Sequence, residues 1–431
     1  MSERDRPGEA PAPVSPPPLI PAAYPAALIY DPAYLRYRFN DQHPFNPLRL
    51  EITVDLMRAS GLLAPAAGPP PAGPPAPPAP IPPRPATRAE LELAHDPAYI
   101  DAVERLSAPG AVCDDPRWGL GTPDVPIFPG MHAAAALTAG GTLQAAELVM
   151  RSAVDHAFNL AGGHHHAQRC LASGFCIYND ASIAIEWLTR RYGARVLYID
   201  NDAHHGDGVE AAFADRDDVL TISLHESGHY LYPGTGFVDD LGRGRGYGYS
   251  INLPLEPYTD DDSWLALFEA VVPALAHAFR PDIIVLQSGC DGHCRDPLTH
   301  LSATTRTVEE VARQVHALAH ALCGGRLVVL GGGGYDIWSV VPRAWTLVWS
   351  ILSDQPAPAL LPAAWRARWQ PRSPIPLPTH LRDDPADYPP LPRQAIIAAA
   401  NAATLHRLRE HLLWVAFEPP AGPPPNPKAG W

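Results

Sequence analysis

A chain of 431 residues with 46% apolar side chains can bury a sizeable core and is too apolar to be largely disordered. Its 53 prolines are about double average usage, so part of the length belongs to loop or linker. The formal net charge of −14 argues against nucleic acid as a main partner and suits a basic or neutral one.

In chain order, residues 1–25 form a Pro/Ala-rich segment. The opening stretch from Met1 to Pro7 lacks the apolar run of an export signal, so a cytoplasmic protein is expected. Ala26 to Tyr30 reads as a short buried strand. A helix is predicted next, with Asn46 as N-cap, Pro47 at its first position and Gly61 just past its end. Residues 64–86 are almost wholly Pro, Ala and Gly, a stiff extended insertion that stops at a capping box, Thr87-Arg88-Ala89-Glu90.

From residue 150 the pattern alternates. Apolar runs at 157–161, 195–199, 219–224, 283–286 and 326–330 are mostly separated by helical stretches such as 181–192, 261–279 and 303–323. Short continuous apolar strands with helical crossovers predict an α/β domain over residues 26–353, with a mainly parallel central sheet flanked by helices. Residues 354–431 read as a Pro-rich extension with one helix from about 392 to 416. No uncharged apolar stretch reaches the length of a membrane span. The six cysteines form no Cys-x-x-Cys pair, and reduced thiols are expected.

Four of these strands run into unusual polar residues. They lead to Gly162-Gly163-His164-His165-His166, to the run from Asp200 to Gly208, to Gly289-Cys290-Asp291, and to Gly331-Gly332-Gly333-Gly334-Tyr335. Open α/β sheets bind ligands beyond the carboxyl ends of their strands, so all four clusters are expected in one crevice. Asp202 and His204 are two apart and point the same way in extended chain. With Asp291 they make two carboxylates and one imidazole, the three-ligand set of a catalytic zinc centre with positions left open. His165 and His166 suit acid–base work near neutrality, with Asp200 and Asp207 available as partners. The Tyr335 phenol can donate to an oxyanion. Taken singly, an Asp-x-His pair, a histidine run or a glycine-flanked tyrosine reads as a loop cap or a packed side chain; their coincidence argues for a site.

These motifs, together with the stretch from Ala172 to Asp180 that contains Ser173-Gly174-Phe175-Cys176, resemble the histone deacetylase family from about Tyr30 to Leu352. Within it, the segments Tyr37 to Asn46 and Gly334 to Trp338 are most similar to the bacterial acetoin-utilisation deacetylases. The resemblance implies the arginase/deacetylase-like fold and hydrolysis of an N-acetyl-lysine amide in an acetylated protein, or of a small acetylated amine, with release of acetate. It implies Zn2+, or Fe2+ in its place, held by Asp202, His204 and Asp291. His165 and His166 would be tandem histidines paired with Asp200 and Asp207, His166 the main base and acid, and Tyr335 the oxyanion donor. Gly174, Phe175 and Tyr232 would wall a narrow tunnel, with Leu298 at its rim, Asp124 holding substrate backbone at the entrance and Arg49 lining an inner acetate cavity. A structural K+ would take main-chain oxygens of Asp200, Asp202, His204 and Leu224 with the Ser223 hydroxyl. His164 stands where an apolar residue is frequent, and Tyr232 where phenylalanine is.

Three rivals share the scaffold: an acetylpolyamine amidohydrolase, a two-metal ureohydrolase of the arginase type, and a non-catalytic binding protein. The ureohydrolase needs further carboxylates where this chain has Gly206 and His293. Oligomeric state is not legible.

Overall fold

The computed structural model describes residues 25–66 and 77–412. The Pro/Ala-rich opening, the middle of the proline-rich insertion, and the tail with the last turn of its expected helix lie outside the described residues.

The six apolar runs become strands, and the described strands are β1 (Ala26–Ile29), β2 (His156–Asn159), β3 (Val196–Asp200), β4 (Val219–Glu226), β5 (Ser250–Leu255), β6 (Ile283–Gln287) and β7 (Leu327–Leu330). They form one sheet in the order β1-β2-β7-β6-β3-β4-β5, and every pairing is parallel. The expected mainly parallel sheet is therefore wholly parallel among the described residues. β5 was not foreseen, because Pro254 inside Ser-Ile-Asn-Leu-Pro-Leu reads as a breaker. It is tolerated because β5 is the outermost strand, where one N–H fewer leaves no ladder bond unmade.

The helices are α1 (Leu48–Ala59), α2 (Arg88–Leu91), α3 (Pro97–Leu106), α4 (Met131–Met150), α5 (Asp180–Tyr192), α6 (Asp207–Phe213), α7 (Asp261–Phe279), α8 (Thr305–Cys323), α9 (Val341–Leu352), α10 (Ala363–Trp369) and α11 (Gln394–Leu412). They cover both faces, as period-two alternation along each strand requires. On β3, Leu197 and Ile199 join the core under α7, α8 and α9, whereas Val196 and Tyr198 join the core under α4 and α5. α4 is buried nearly all round, so it carries no 3.6-residue stripe to mark it in sequence.

Two expected details shift. α1 starts one residue later than its proline suggests, with Asn46 Oδ1 accepting from Leu48 N–H at 3.1 Å. The distal end of the proline-rich insertion docks on the edge of β1: Tyr30 N–H donates to Ile81 O at 3.0 Å and Ile81 N–H to Leu28 O at 2.8 Å. The capping box at Thr87 is present, though the helix it opens lasts a single turn.

Among the groups that anchor the segment after α9 is one buried carboxylate, Asp383. Asp383 accepts from Arg343 of α9 at 2.8 Å, lies 2.9 Å from His293 Nε2, and accepts from the Thr305 N–H at the start of α8 at 3.0 Å. Burial opposes its charge, yet His293 and Arg343 hold it well below the usual carboxylate range. Its contribution is therefore complete above the ordinary aspartate value near pH 4 and drains away as the medium becomes more acidic. Asp383→Asn leaves Arg343 buried without its counter-charge and is expected to cost about 3 kcal/mol. Urea titrations at neutral pH and at about pH 3.5 should show that loss, together with a flatter acid dependence in the variant.

Candidate active site

β2, β7, β6 and β3 are the four consecutive central strands of the sheet, and they are the four whose carboxyl ends carry the polar clusters. Because all run parallel, their ends open on one edge. Asp202 and His204 leave β3, Asp291 leaves β6, and their ligand atoms all lie within 4.8 Å of one another. His204 Nδ1 stands 2.9 Å from Asp291 Oδ2 and 3.3 Å from Asp202 Oδ1. All three are buried, and among the described residues no lysine or arginine pairs with either carboxylate.

Such a cluster is built to hold positive charge. Burial opposes protonation of His204, yet its hydrogen bonds to Asp202 and Asp291 lift it to about 10. Burial, then the neighbouring Asp202 charge, pushes Asp291 up to about 6. Two carboxylates and one imidazole in a dry cleft suit a divalent ion, which relieves this repulsion and takes the imidazole lone pair. Backbone amides aim the carboxylates: Gly333 N–H donates to Asp202 Oδ2 at 2.6 Å and Ala203 N–H to Asp291 Oδ1 at 2.9 Å. At Gly333 a Cβ would overlap Asp291 Oδ2. Gly333→Ala is expected to weaken metal binding about 10- to 100-fold, measured by chelator competition, with far-UV circular dichroism unchanged.

Beside this cluster lie the paired histidines. His165 Nδ1 is 2.8 Å from Asp200 Oδ2, His166 Nδ1 is 2.7 Å from Asp207 Oδ1, and the two Nε2 atoms are 3.1 Å apart. A carboxylate only accepts, so both Nδ1 atoms carry hydrogen and both Nε2 atoms face the cleft. The two differ in charge. Burial and then the charge of His165 push His166 down to about 4, leaving it neutral. Burial opposes the charge on His165 too, but Asp200 and Asp202 raise it to about 9.

The loop carrying them is held by Asn179 and Asp180, which lie inside a motif, and by Thr142 and Gln287, which lie outside all of them. Asp180 accepts from the Gly163 and His164 N–H groups, at 3.0 and 2.7 Å, and from Thr142 at 2.5 Å. Asn179 donates to the carbonyls of His165 and Ala167, and Gln287 to that of Gly163. A buried polar residue ending an apolar strand, as Gln287 does, was the available signal.

Tyr335 is half-buried, its ring centroid 6.4 Å from that of His204 and 5.8 Å from Phe175. Among the described residues nothing accepts from its hydroxyl. Tyr232 stacks edge-on with His166 at 5.1 Å and hydrogen-bonds Ser173 through its hydroxyl. Gly174 N–H donates to Asp124 Oδ2 at 2.7 Å, so Asp124 is already engaged on the loop of Gly174 and Phe175. Asp296 ties Leu298 to Tyr335, accepting from the N–H of each at 3.0 and 2.8 Å. Arg49 is buried deeper, donating to Gly334 O at 2.8 Å. The hollow it lines with His164 and Tyr37 measures about 10 Å³, closer to one water than to acetate. His164 packs edge-on against Tyr37, and burial pushes it down to about 4, so it fills the apolar position as a neutral ring. Ser223 and Asp200, two of the residues expected at the potassium site, are register partners on β4 and β3.

Gly206 separates this site from a two-metal centre. A Cβ there would overlap Asp200 Oδ2 and touch His165 Nδ1, so a carboxylate at 206 is incompatible with the Asp200–His165 pair. His293 is turned to Asp383 instead.

Sheet and site together define the class: a parallel α/β protein with one three-ligand cluster and two carboxylate-bound histidines at its carboxyl edge. Residues 43–352 match the family model of the histone deacetylase domain. The chain is 46% identical over 384 residues to the acetoin utilization protein AcuC of Bacillus subtilis, covering 89% of this chain and 96% of that one. It is 41% identical over 378 residues to the AcuC protein of Staphylococcus aureus (strain MSSA476), covering 87% and 94%. Two crystal structures of an HDAC homologue, one from Aquifex aeolicus and one complexed with SAHA, superpose with a TM-score of 0.77 at 29% and 30% identity. Each covers 89% of this chain and 99% of the other. The chain belongs to the histone deacetylase family, and its fold is the arginase/deacetylase-like fold.

Proposed function

We propose that the chain is a metal-dependent deacetylase that hydrolyses the linear amide of N-acetyl-lysine in proteins and releases acetate. The observation that carries this reading is the close cluster of Asp202, His204 and Asp291 beside His165 and His166. The family and the AcuC relatives support the deacetylase class.

Asp202, His204 and Asp291 would hold Zn2+, or Fe2+. When bound there, the ion polarises the acetyl carbonyl and lowers the pKa of a water. The neutral His166, steadied through Nδ1 by Asp207, takes the proton from the attacking water at Nε2 and passes it to the departing amine. His165, charged and held by Asp200, adds positive potential beside the oxygen that gains charge. The Tyr335 hydroxyl, free of acceptors among the described residues, donates to that oxygen. The Phe175 and Tyr232 rings pack along the lysine methylenes, with Gly174 between them and Leu298 at the rim. Asp124 accepts from substrate backbone through its remaining oxygen. K+ at Asp200, Asp202, His204, Ser223 and Leu224 is a structural ion in this reading, and Arg49 lines the innermost wall.

The protein would act in the cytoplasm; no helix among the described residues is long and apolar enough to cross a membrane. The acetoin-utilisation relatives favour an acetylated metabolic enzyme as substrate over a histone. The net charge of −14 also suits a cationic acetylpolyamine. The test is a release assay on acetyl-lysine peptides and acetylpolyamines, with metal analysis and a hydroxamate control. Turnover of the peptides, blocked by hydroxamate, is expected. Turnover of polyamines alone would reassign the substrate, and a metal-replete protein inert on both would overturn the reading.

A further inference from the structure

At the opposite, amino edge of the sheet a second group of ligand atoms comes together. His156 is the first residue of β2, and His316 and His320 lie one turn apart on α8. Their three Nε2 atoms form a triangle: 3.0 Å from His156 to His316, 3.2 Å from His156 to His320, and 3.2 Å from His316 to His320. His156 is buried, His316 half-buried and His320 exposed, so one side of the triangle faces solvent.

Hydrogen bonding does not account for this arrangement. A ring nitrogen that carries hydrogen has no lone pair to accept with, and one without hydrogen has nothing to donate. Three edges of hydrogen-bond length therefore cannot all be hydrogen bonds, and at least two like-facing nitrogens must oppose each other. A cation over the triangle uses all three lone pairs at once. Imidazole nitrogens around a tetrahedral ion, bound at about 2.0–2.1 Å, stand about 3.3 Å apart, close to the spacing here.

We propose that His156, His316 and His320 bind a divalent ion of the imidazole-preferring class, zinc foremost, as a second metal site that clamps α8 to the start of β2 and leaves the fourth position to solvent. Imidazole is the shared ligand preference of Zn2+, Ni2+ and Cu2+, whereas Mg2+ and Ca2+ require oxygen donors. Asp155 and Asp354 bear on His316 and offset part of the double charge.

The test is a count of zinc per chain after the full-length protein is loaded with excess Zn2+ and desalted. A His316→Ala/His320→Ala variant is compared with the parent. Both changes fall on a helix surface and introduce the strongest helix former. The parent is expected to carry about one equivalent more than the variant. Zn2+ added after chelation should raise the parent's Tm by about a few degrees beyond the rise seen in the variant. The readout is the difference, so it does not depend on what the Asp202–His204–Asp291 cluster holds, and deacetylation should be unaffected. His320→Gln, at the exposed corner, provides a milder variant in which zinc affinity should fall about tenfold or more. Equal zinc counts in parent and double variant, or a Tm rise of the same size in both, overturn the site.

Discussion

Tyr335→Phe should lower kcat by about a hundredfold to a thousandfold with fold and metal content unchanged. The phenol is held in place without its oxygen: its backbone N–H is fixed by Asp296 and its ring packs on Phe175, so the substitution removes one hydroxyl and little else. Burial, followed by the charges of Asp291 and Asp202, keeps that phenol far above its ordinary pKa, so it stays a donor. Because the bond strengthens only as the carbonyl oxygen gains charge, the loss should fall on kcat with KM nearly constant. Steady-state kinetics on an acetyl-lysine peptide measure the split. A Tyr335→Phe enzyme with parental kcat would remove Tyr335 from the mechanism.

His166→Ala should cost between about a hundredfold and ten-thousandfold in kcat, more than His165→Ala. The two rings are neighbours in sequence and space, yet they are not equivalent. His166 is the neutral one, with Asp207 on Nδ1 and its Nε2 facing the cleft, so it alone has a lone pair ready for a proton. His165 is the charged one and contributes potential. Parallel kinetics on both variants, with zinc content measured in each, decide the ranking. A His165→Ala loss larger than that of His166→Ala would reverse the assignment of base and electrostatic partner.

The strands that carry the site could be read from the chain because each is a short apolar run that stops at glycine or a polar residue. Helices with a buried stripe and a clear cap, such as the one over 261–279, were placed to the residue. Elements whose burial erases periodicity were missed: α4, apolar nearly all round, and β5, interrupted by Pro254. The supporting shell was also silent. Asp180 lies inside a motif, but nothing local reveals that it accepts from Gly163, His164 and Thr142.

What the amino-acid order determined by itself was the inventory: short parallel strands, polar residues at four of their ends, and side chains suited to a divalent ion and to proton transfer. What only the tertiary structure decided was adjacency. β6 and β7, which come late in the chain, insert between β2 and β3, and this crossover sets Asp291 and Tyr335 beside Asp202, His204 and the paired histidines. The same pairing of distant segments brings His156 onto the face of α8. Local propensity acts over a few residues, whereas strand order follows from burying both faces of the whole sheet at once, and that constraint is not written in any one segment.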